Sequence, residues 1–233
     1  MFLVSKQKSS QMSESIILGV ILALSGGCMD AYSYLCRGHV FANAQTGNML
    51  LLGINLFEQN WAKALAYALP VLAFTIGIVF AETIRYSFGS ANKRRLHWRH
   101  GVIVIEILCL IAVSFMPQSI NLLANSLTSM ACGMQVEAFR KIHGNSIATT
   151  MCIGNLRSGT ESLCAWFRLR EKGMLRRAFL YYGVIVCFVV GAVVGNSLIK
   201  LSGEKAILIC PVLLAVAFML MLCKEGTFTV GSR

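Results

Sequence analysis

Long apolar runs recur near residues 15–36, 61–84, 120–139, 178–199 and 205–223. Each is close to the about 20 residues that a helix needs to cross about 30 Å of hydrocarbon. The run from Gly101 to Met116 is shorter but equally apolar, and Pro117, which cannot continue a helix, closes it as a sixth. Two stretches, 38–58 and 142–165, are mixed. Asn43, Gln45, Thr46 and Asn48 interrupt the first, and Asn145, Thr149, Thr150, Asn155, Arg157 and Glu161 the second. Each of these either spans or dips in and returns. The pattern predicts an all-α polytopic membrane helix bundle of about six spans plus two short re-entrant or broken segments.

Composition supports lipid as the solvent. Of 233 residues, 56% are hydrophobic and 13% charged, and the mean hydropathy is +0.67, too few charges to build a water-facing exterior. The net charge of +11 does not argue for nucleic acid, because the basic residues stand between apolar runs rather than along one face. Lys93, Arg94, Arg95 and Arg99, and Arg168, Arg170, Lys172, Arg176 and Arg177, flank spans, where cytoplasmic Lys and Arg set orientation. With six spans and re-entrant mixed segments, all of the 21 Lys and Arg except Arg37, Lys63, Lys200 and Lys205 fall on one side. With eight spans Arg157 enters a helix and the rest divide evenly, so charge favours six spans with both termini cytoplasmic.

The expected organisation is a cytoplasmic tail 1–14, a first membrane repeat 15–117, a second repeat 118–224 and a cytoplasmic tail 225–233. The repeat rests on an ungapped shift of 107 positions, which lays Gly26 on Gly133, Asp30 on Glu137, Ala31 on Ala138, Tyr32 on Phe139, Gly47 on Gly154 and Asn48 on Asn155. Further on, Phe74, Gly77 and Ala81 match Phe188, Gly191 and Gly195 at a shift of 114. Three crossings per half would invert the second half, a recurrent transporter and channel design with its path at the interface of the halves.

The short apolar stretch Met49 to Phe57 suits a half-helix, with Gly47 allowing a turn and Asn48 an N-cap; Gly154 and Asn155 are the counterparts. Two such half-helices starting near the midplane would aim their positive dipole ends at one centre and favour an anion or a dipolar solute. The alternative is that Gly permits close packing and Asn satisfies backbone freed by the break. Candidate solute-path residues are therefore Asp30, Gln45, Thr46, Gly47, Asn48, Glu137, Gly154 and Asn155. Asp30 and Glu137 end their spans, beside Arg37 and Arg140, while Glu106 is set among apolar residues and is the intramembrane acid. Glu82 stands three residues before Arg85 and pairs with it.

Other chemistry is excluded or ordinary. His39 and His143 do not superpose at the repeat shift and lack partners at ligand spacing, so neither a metal nor a cofactor is expected. No nucleophile elbow, P-loop or dinucleotide fingerprint occurs, and an enzyme is not expected. The nine cysteines form no C-x-x-C pair and read as small packing residues. Leu24 to Cys28 resembles a lipoprotein cleavage site, but Leu is one position too far upstream and the apolar run continues past it. Gly191 and Gly195 form G-x-x-x-G for a tight crossing, within the chain or in a homo-oligomer.

The run Gly27-Cys28-Met29-Asp30-Ala31-Tyr32-Ser33-Tyr34, followed by Val40-Phe41-Ala42-Asn43-Ala44-Gln45-Thr46-Gly47-Asn48, resembles the YoaK family of small bacterial inner-membrane proteins. Gly133-Met134-Gln135, Ala138-Phe139-Arg140 and Gly154-Asn155 resemble that family's second half. Ile153 stands where the first half has Thr46, so the two halves do not carry equivalent sites. The resemblance implies a multi-pass protein of the bacterial cytoplasmic membrane with about six helices, and supplies no catalytic or binding residues. Two functions are expected from the residues: a transporter or channel for a small polar or anionic solute, or a non-transporting membrane scaffold or assembly partner.

Overall fold

The computed structural model describes residues 15–89, 97–142 and 145–229. The expected tail 1–14 with Lys6 and Lys8, the run Lys93 to Arg95, His143 and Arg233 lie outside the described residues. Eight α-helices follow one another: α1 (Ile16–Cys36), α2 (Gln45–Phe57), α3 (Trp61–Gly89), α4 (His97–Ser114), α5 (Asn121–Ala138), α6 (Cys152–Leu169), α7 (Lys172–Ser202) and α8 (Ile209–Thr229). Of the described residues, 86% are helical. Among the described residues the only strands form a small antiparallel pair before α6, Lys141–Ile142 with Asn145–Ser146.

Local chemistry sets the helix ends. Ser15 is extended and its hydroxyl accepts the Leu18 N–H at 3.2 Å, capping α1. Gly38 (φ +84°) and His39 (φ +61°) then turn the chain out of the helix, since both lie in left-handed backbone that stops an α-helix. Pro117 stands between α4 and the short 3-10 turn that leads into α5. Pro70 lies inside α3, where a membrane helix tolerates it better than a soluble one. Arg170 (φ +56°) ends α6, and Gly203 (φ +57°) ends α7.

Three stretches are long and apolar enough to cross a bilayer: Ile16–Cys36, Trp61–Phe88 and Lys172–Cys223, the last comprising α7 and α8 joined by a 3-10 turn. Large apolar side chains cover much of the outside, among them Ile76, Phe80, Val186, Val189, Val193 and Met219. Such a surface is stable only against lipid or another apolar body. In contrast, α2 has 13 residues and is about 20 Å long. The most amphipathic helix, α6, carries exposed Arg157, Glu161 and Arg168 on one side.

The helices pair in matched sets. The most extensive contacts join α1 to α7 and α3 to α5; α2 lies on α3 as α6 lies on α7, and α4 lies on α5 as α8 lies on α1. The two principal crossings are made the same way. A Cβ on Gly77 would strike the Met130 carbonyl and one on Gly133 the Phe74 carbonyl, locking α3 to α5 backbone against backbone. One on Gly191 would strike the Leu24 carbonyl and one on Gly27 the Phe188 carbonyl, locking α1 to α7. The Gly191 and Gly195 pair is therefore spent within the chain, on α1.

Side chains tie helix ends together at two poles. At one, Arg37 is fully buried and its guanidinium donates to Tyr32 OH (2.8 Å), Asn121 Oδ1 (3.0 Å) and the Val113 and Met116 carbonyls (3.1 and 2.8 Å). Glu204 stands 4.0 Å away. The C-terminal ends of α1, α4 and α7 thus gather with the start of α5. At the other pole Arg85 contacts Glu82 (3.0 Å) and Glu137 (3.4 Å), Arg140 contacts Glu137 (3.3 Å), and Arg99 Nε donates to the Ala138 carbonyl (2.9 Å). Here the ends of α3 and α5 meet the start of α4.

Candidate functional site

Both mixed segments are loops closed by an asparagine. Asn48 Nδ2 donates to the Phe41 carbonyl (2.7 Å) and its Oδ1 accepts the Phe41 N–H (3.0 Å). Asn155 Nδ2 donates to the Ala148 carbonyl at the same distance, 2.7 Å. The reach is seven residues back in each case, and the 107 shift carries Phe41 to Ala148 as it carries Asn48 to Asn155.

The expected N-caps are corrected by this geometry. α2 begins at Gln45 after Ala44 and α6 at Cys152 after Met151, so both asparagines lie inside their helices, and neither preceding residue caps with its side chain. The physical reason at Asn48 is that its two bonds to Phe41 leave the amide no oxygen for the first helical turn, and at Asn155 the amide is likewise turned back to the loop, to the Ala148 carbonyl. Gly47 and Gly154 are also not at turns: both have helical backbone, and the turn after α1 is made by Gly38 and His39. A Cβ on Gly47 would meet the Phe41 ring at 2.7 Å, whereas one on Gly154 would meet nothing within 4 Å.

What the closed loops present is their tips. Asn43 Nδ2 donates to the Gly26 carbonyl in the middle of α1 (3.2 Å), and Thr150 packs its methyl group on the Cα of the same Gly26. Asn43 and Thr150 are a 107-shift pair. Gln135 of α5 donates from Nε2 to the Leu22 carbonyl (3.2 Å), one turn along α1, and to Thr149 Oγ1 (3.5 Å). Leu22 and Gly26 are about 6 Å apart along the helix axis, so the two tips and Gln135 converge within one turn of α1.

Asp30 joins this centre from one turn further on. Its Oδ1 accepts the Asn43 N–H at 2.7 Å, and no cationic side chain among the described residues pairs with it. Its repeat partner Glu137 is elsewhere, in the ion cluster with Arg85 and Arg140 at the far pole. The pairing of Glu137 with Arg140 is as the sequence suggests, but Arg37 is turned to carbonyls and not to Asp30. Gln45 bridges outward: it donates to the Ala42 carbonyl (2.7 Å) and to Ser129 Oγ of α5 (3.4 Å), and accepts from Asn48 (2.8 Å). Thr46 is exposed, as is Ile153, its counterpart, so the departure between the halves falls on the outer face. Glu106 of α4 is buried with its Oε1 unpartnered, and no hydrogen bond links it to either loop among the described residues.

Sequence reasoning misses Asn43, Gln135 and Thr150 as site residues, although the sequence carries a signal for Gln135. Asn125, Thr128, Ser129, Cys132 and Gln135 recur at three and four residues along α5 and are all buried, a polar stripe about 15 Å long facing inward. The matching positions of α1 are Leu18, Ile21, Leu22, Ser25 and Cys28, so the stripe belongs to one half alone. Among the described residues no three His, Cys, Asp or Glu side chains stand together to hold a metal.

Residues 18–220 match the family described as "Protein of unknown function (DUF1275)". The chain belongs to the DUF1275 family. The chain is also similar to the "UPF0700 transmembrane protein YoaK" of Bacillus subtilis (strain 168), 25% identical over 181 residues, covering 75% of this chain and 79% of that protein. No solved structure matches. The DUF1275 match takes in both loops and all the residues of the centre, and the chain is a membrane protein with its apolar helices facing lipid.

Proposed function

We propose that the protein is a passage, transporter or channel, for a small polar solute, centred where the two broken segments meet α1 and α5. The observation that carries this is a set of buried oxygens with no hydrogen-bond partner, Ser25 Oγ, Asn43 Oδ1, Gln135 Oε1 and Thr150 Oγ1, at that meeting point. Each costs about 1–3 kcal/mol if it serves nothing. A packing centre would be cheaper with apolar residues, and polar groups at membrane depth mark solute paths.

Six crossings and an inverted repeat underlie the proposal. Support for this comes from the two poles, where the C-terminal ends of α1, α4 and α7 gather at one and those of α3 and α5 at the other, an arrangement in keeping with α2 and α6 returning to the side they left. With α8 returning from α7, the second half runs opposite to the first, and the matched helix pairs accord with that. The charge division sets Arg85, Arg99 and Arg140 at the cytoplasmic pole of a bacterial inner membrane, with both termini on that side. The sequence-level expectation of an anion rested on free helix N-termini; the polar part of that expectation is the one carried here.

The test is flux into proteoliposomes holding the purified protein, over a panel of small polar and ionic solutes. Passage above empty vesicles, diminished by Asn43→Leu, is expected. No passage for any member of the panel by folded protein would leave the scaffold or assembly partner as the better reading.

A further inference from the structure

The free atoms of the centre have a sign. Asn43 and Gln135 give their amide nitrogens to the Gly26 and Leu22 carbonyls. Of the two ends of a side-chain amide only the NH2 can donate to a carbonyl, so each amide is fixed with its oxygen on the free side, and that oxygen only accepts. Asn43 Oδ1 and Gln135 Oε1 are both unpartnered, as are the hydroxyls Ser25 Oγ and Thr150 Oγ1. All four residues are at least nine-tenths buried.

The backbone N–H donors beside them, by contrast, are in use, and the only free donors are the two hydroxyls, which can equally accept. The Asn43 N–H is held by Asp30, the Gln45 N–H by the Asn43 carbonyl (2.8 Å) and the Gly47 N–H by the Ala44 carbonyl (2.9 Å). The positive end of α2 thus faces a carboxylate of its own chain, and an anion arriving there would meet Asp30 and two amide oxygens that can only accept. A donor-bearing cation meets the reverse: oxygens to replace its hydration shell and a nearby carboxyl without a cationic partner.

We propose, resting on the passage reading, that Ser25, Asn43, Gln135 and Thr150 with Asp30 form a site for a small N–H-bearing monovalent cation, ammonium or a short primary amine. Small size follows from the contact of Thr150 with Gly26, which leaves no room for a side chain at that position. Because Thr150 Oγ1 and Ser25 Oγ have no partner within the protein, Thr150→Val and Ser25→Ala remove nothing that holds the fold. A structural role predicts unchanged or higher stability and no other effect. The site predicts unchanged or higher stability with a loss of solute affinity of about tenfold or more, the loss of a hydrogen bond to a charged group.

The experiment compares methylammonium, potassium and nitrate uptake in proteoliposomes of the full chain, with Thr150→Val and Ser25→Ala beside it and thermal unfolding as the control. Methylammonium uptake without nitrate uptake, half-saturating at about tenfold higher concentration in the variants, is the expected result. Nitrate uptake without methylammonium overturns the cation site and leaves the passage standing; potassium uptake without methylammonium overturns the N–H requirement. If no solute enters, methylammonium titration of the protein in nanodiscs separates the two ideas. Saturable binding weakened by Thr150→Val upholds the site and removes the passage, and absence of binding removes the site as well.

Discussion

Arg37→Met tests the claim that a buried guanidinium, through carbonyls and not through an ion pair, holds one pole of the bundle together. Four hydrogen bonds of 2.8–3.1 Å disappear, to Tyr32, Asn121, Val113 and Met116. The Val113 carbonyl, in the last turn of α4, also accepts the Met116 N–H (3.2 Å), whereas the Met116 carbonyl lies just past the helix end, beyond the reach of the helical ladder. Each buried acceptor left unpaired costs about 1–3 kcal/mol. Allowing for water reaching the half-buried partners, the total is about 3–5 kcal/mol, the range for breaking a buried charged group's partnerships. That is a large share of the about 5–15 kcal/mol by which folded proteins are stable. Arg37→Lys keeps the charge but not the fork that spans several oxygens, so it should fall between, at about 2 kcal/mol. The Glu204 carboxylate is 4.0 Å from the guanidinium and 37% exposed, so Glu204→Gln should cost less than about 1 kcal/mol. The assay is reversible unfolding in mixed micelles followed by tryptophan fluorescence, for which buried Trp98 is a reporter. Glu204→Gln as costly as Arg37→Met, or Arg37→Met within about 1 kcal/mol of the parent protein, would show the reasoning to be wrong.

Three further outcomes are expected. Asn48→Leu strands both the N–H and the carbonyl of Phe41 and should destabilise by about 2–4 kcal/mol in the same unfolding assay, more than the about 1 kcal/mol of a lost N-cap; Asn48→Asp, which keeps the acceptor, should cost less. Gly191→Ala drives a methyl into the α1 backbone and should cost about 1–3 kcal/mol, whereas Gly154→Ala meets nothing within 4 Å and should be neutral or stabilising by up to about 1 kcal/mol; equal effects would speak against the α1–α7 crossing. On a cysteine-free background, single cysteines at positions 63 and 97 should react with an impermeant maleimide from opposite sides of the membrane, 63 from outside, and labelling of 97 from outside with 63 protected would reverse the orientation.

The membrane class and the places of α1, α3, α7 and α8 were legible in the amino-acid sequence, because apolar length is a local property and lipid rewards it wherever it stands. The 107 shift was legible too, and it pairs Asn43 with Thr150 as readily as Asn48 with Asn155. Which member of each loop faces the centre was decided only by the tertiary structure. A glycine-asparagine pair before an apolar run reads equally well as an N-cap or as a loop clamp, and the choice depends on whether the Asn amide finds a carbonyl seven residues back. Asp30 and Glu137 are likewise equivalent by position and different in place: one is turned to the amide of a loop tip, the other is drawn out to Arg85, a residue 52 positions away in the chain. The same holds for Arg37, ordinary by position beside a span end. Its role depends on the end of α4 and the start of α5, brought to it from positions 76 to 84 residues further along, and no local pattern encodes that meeting.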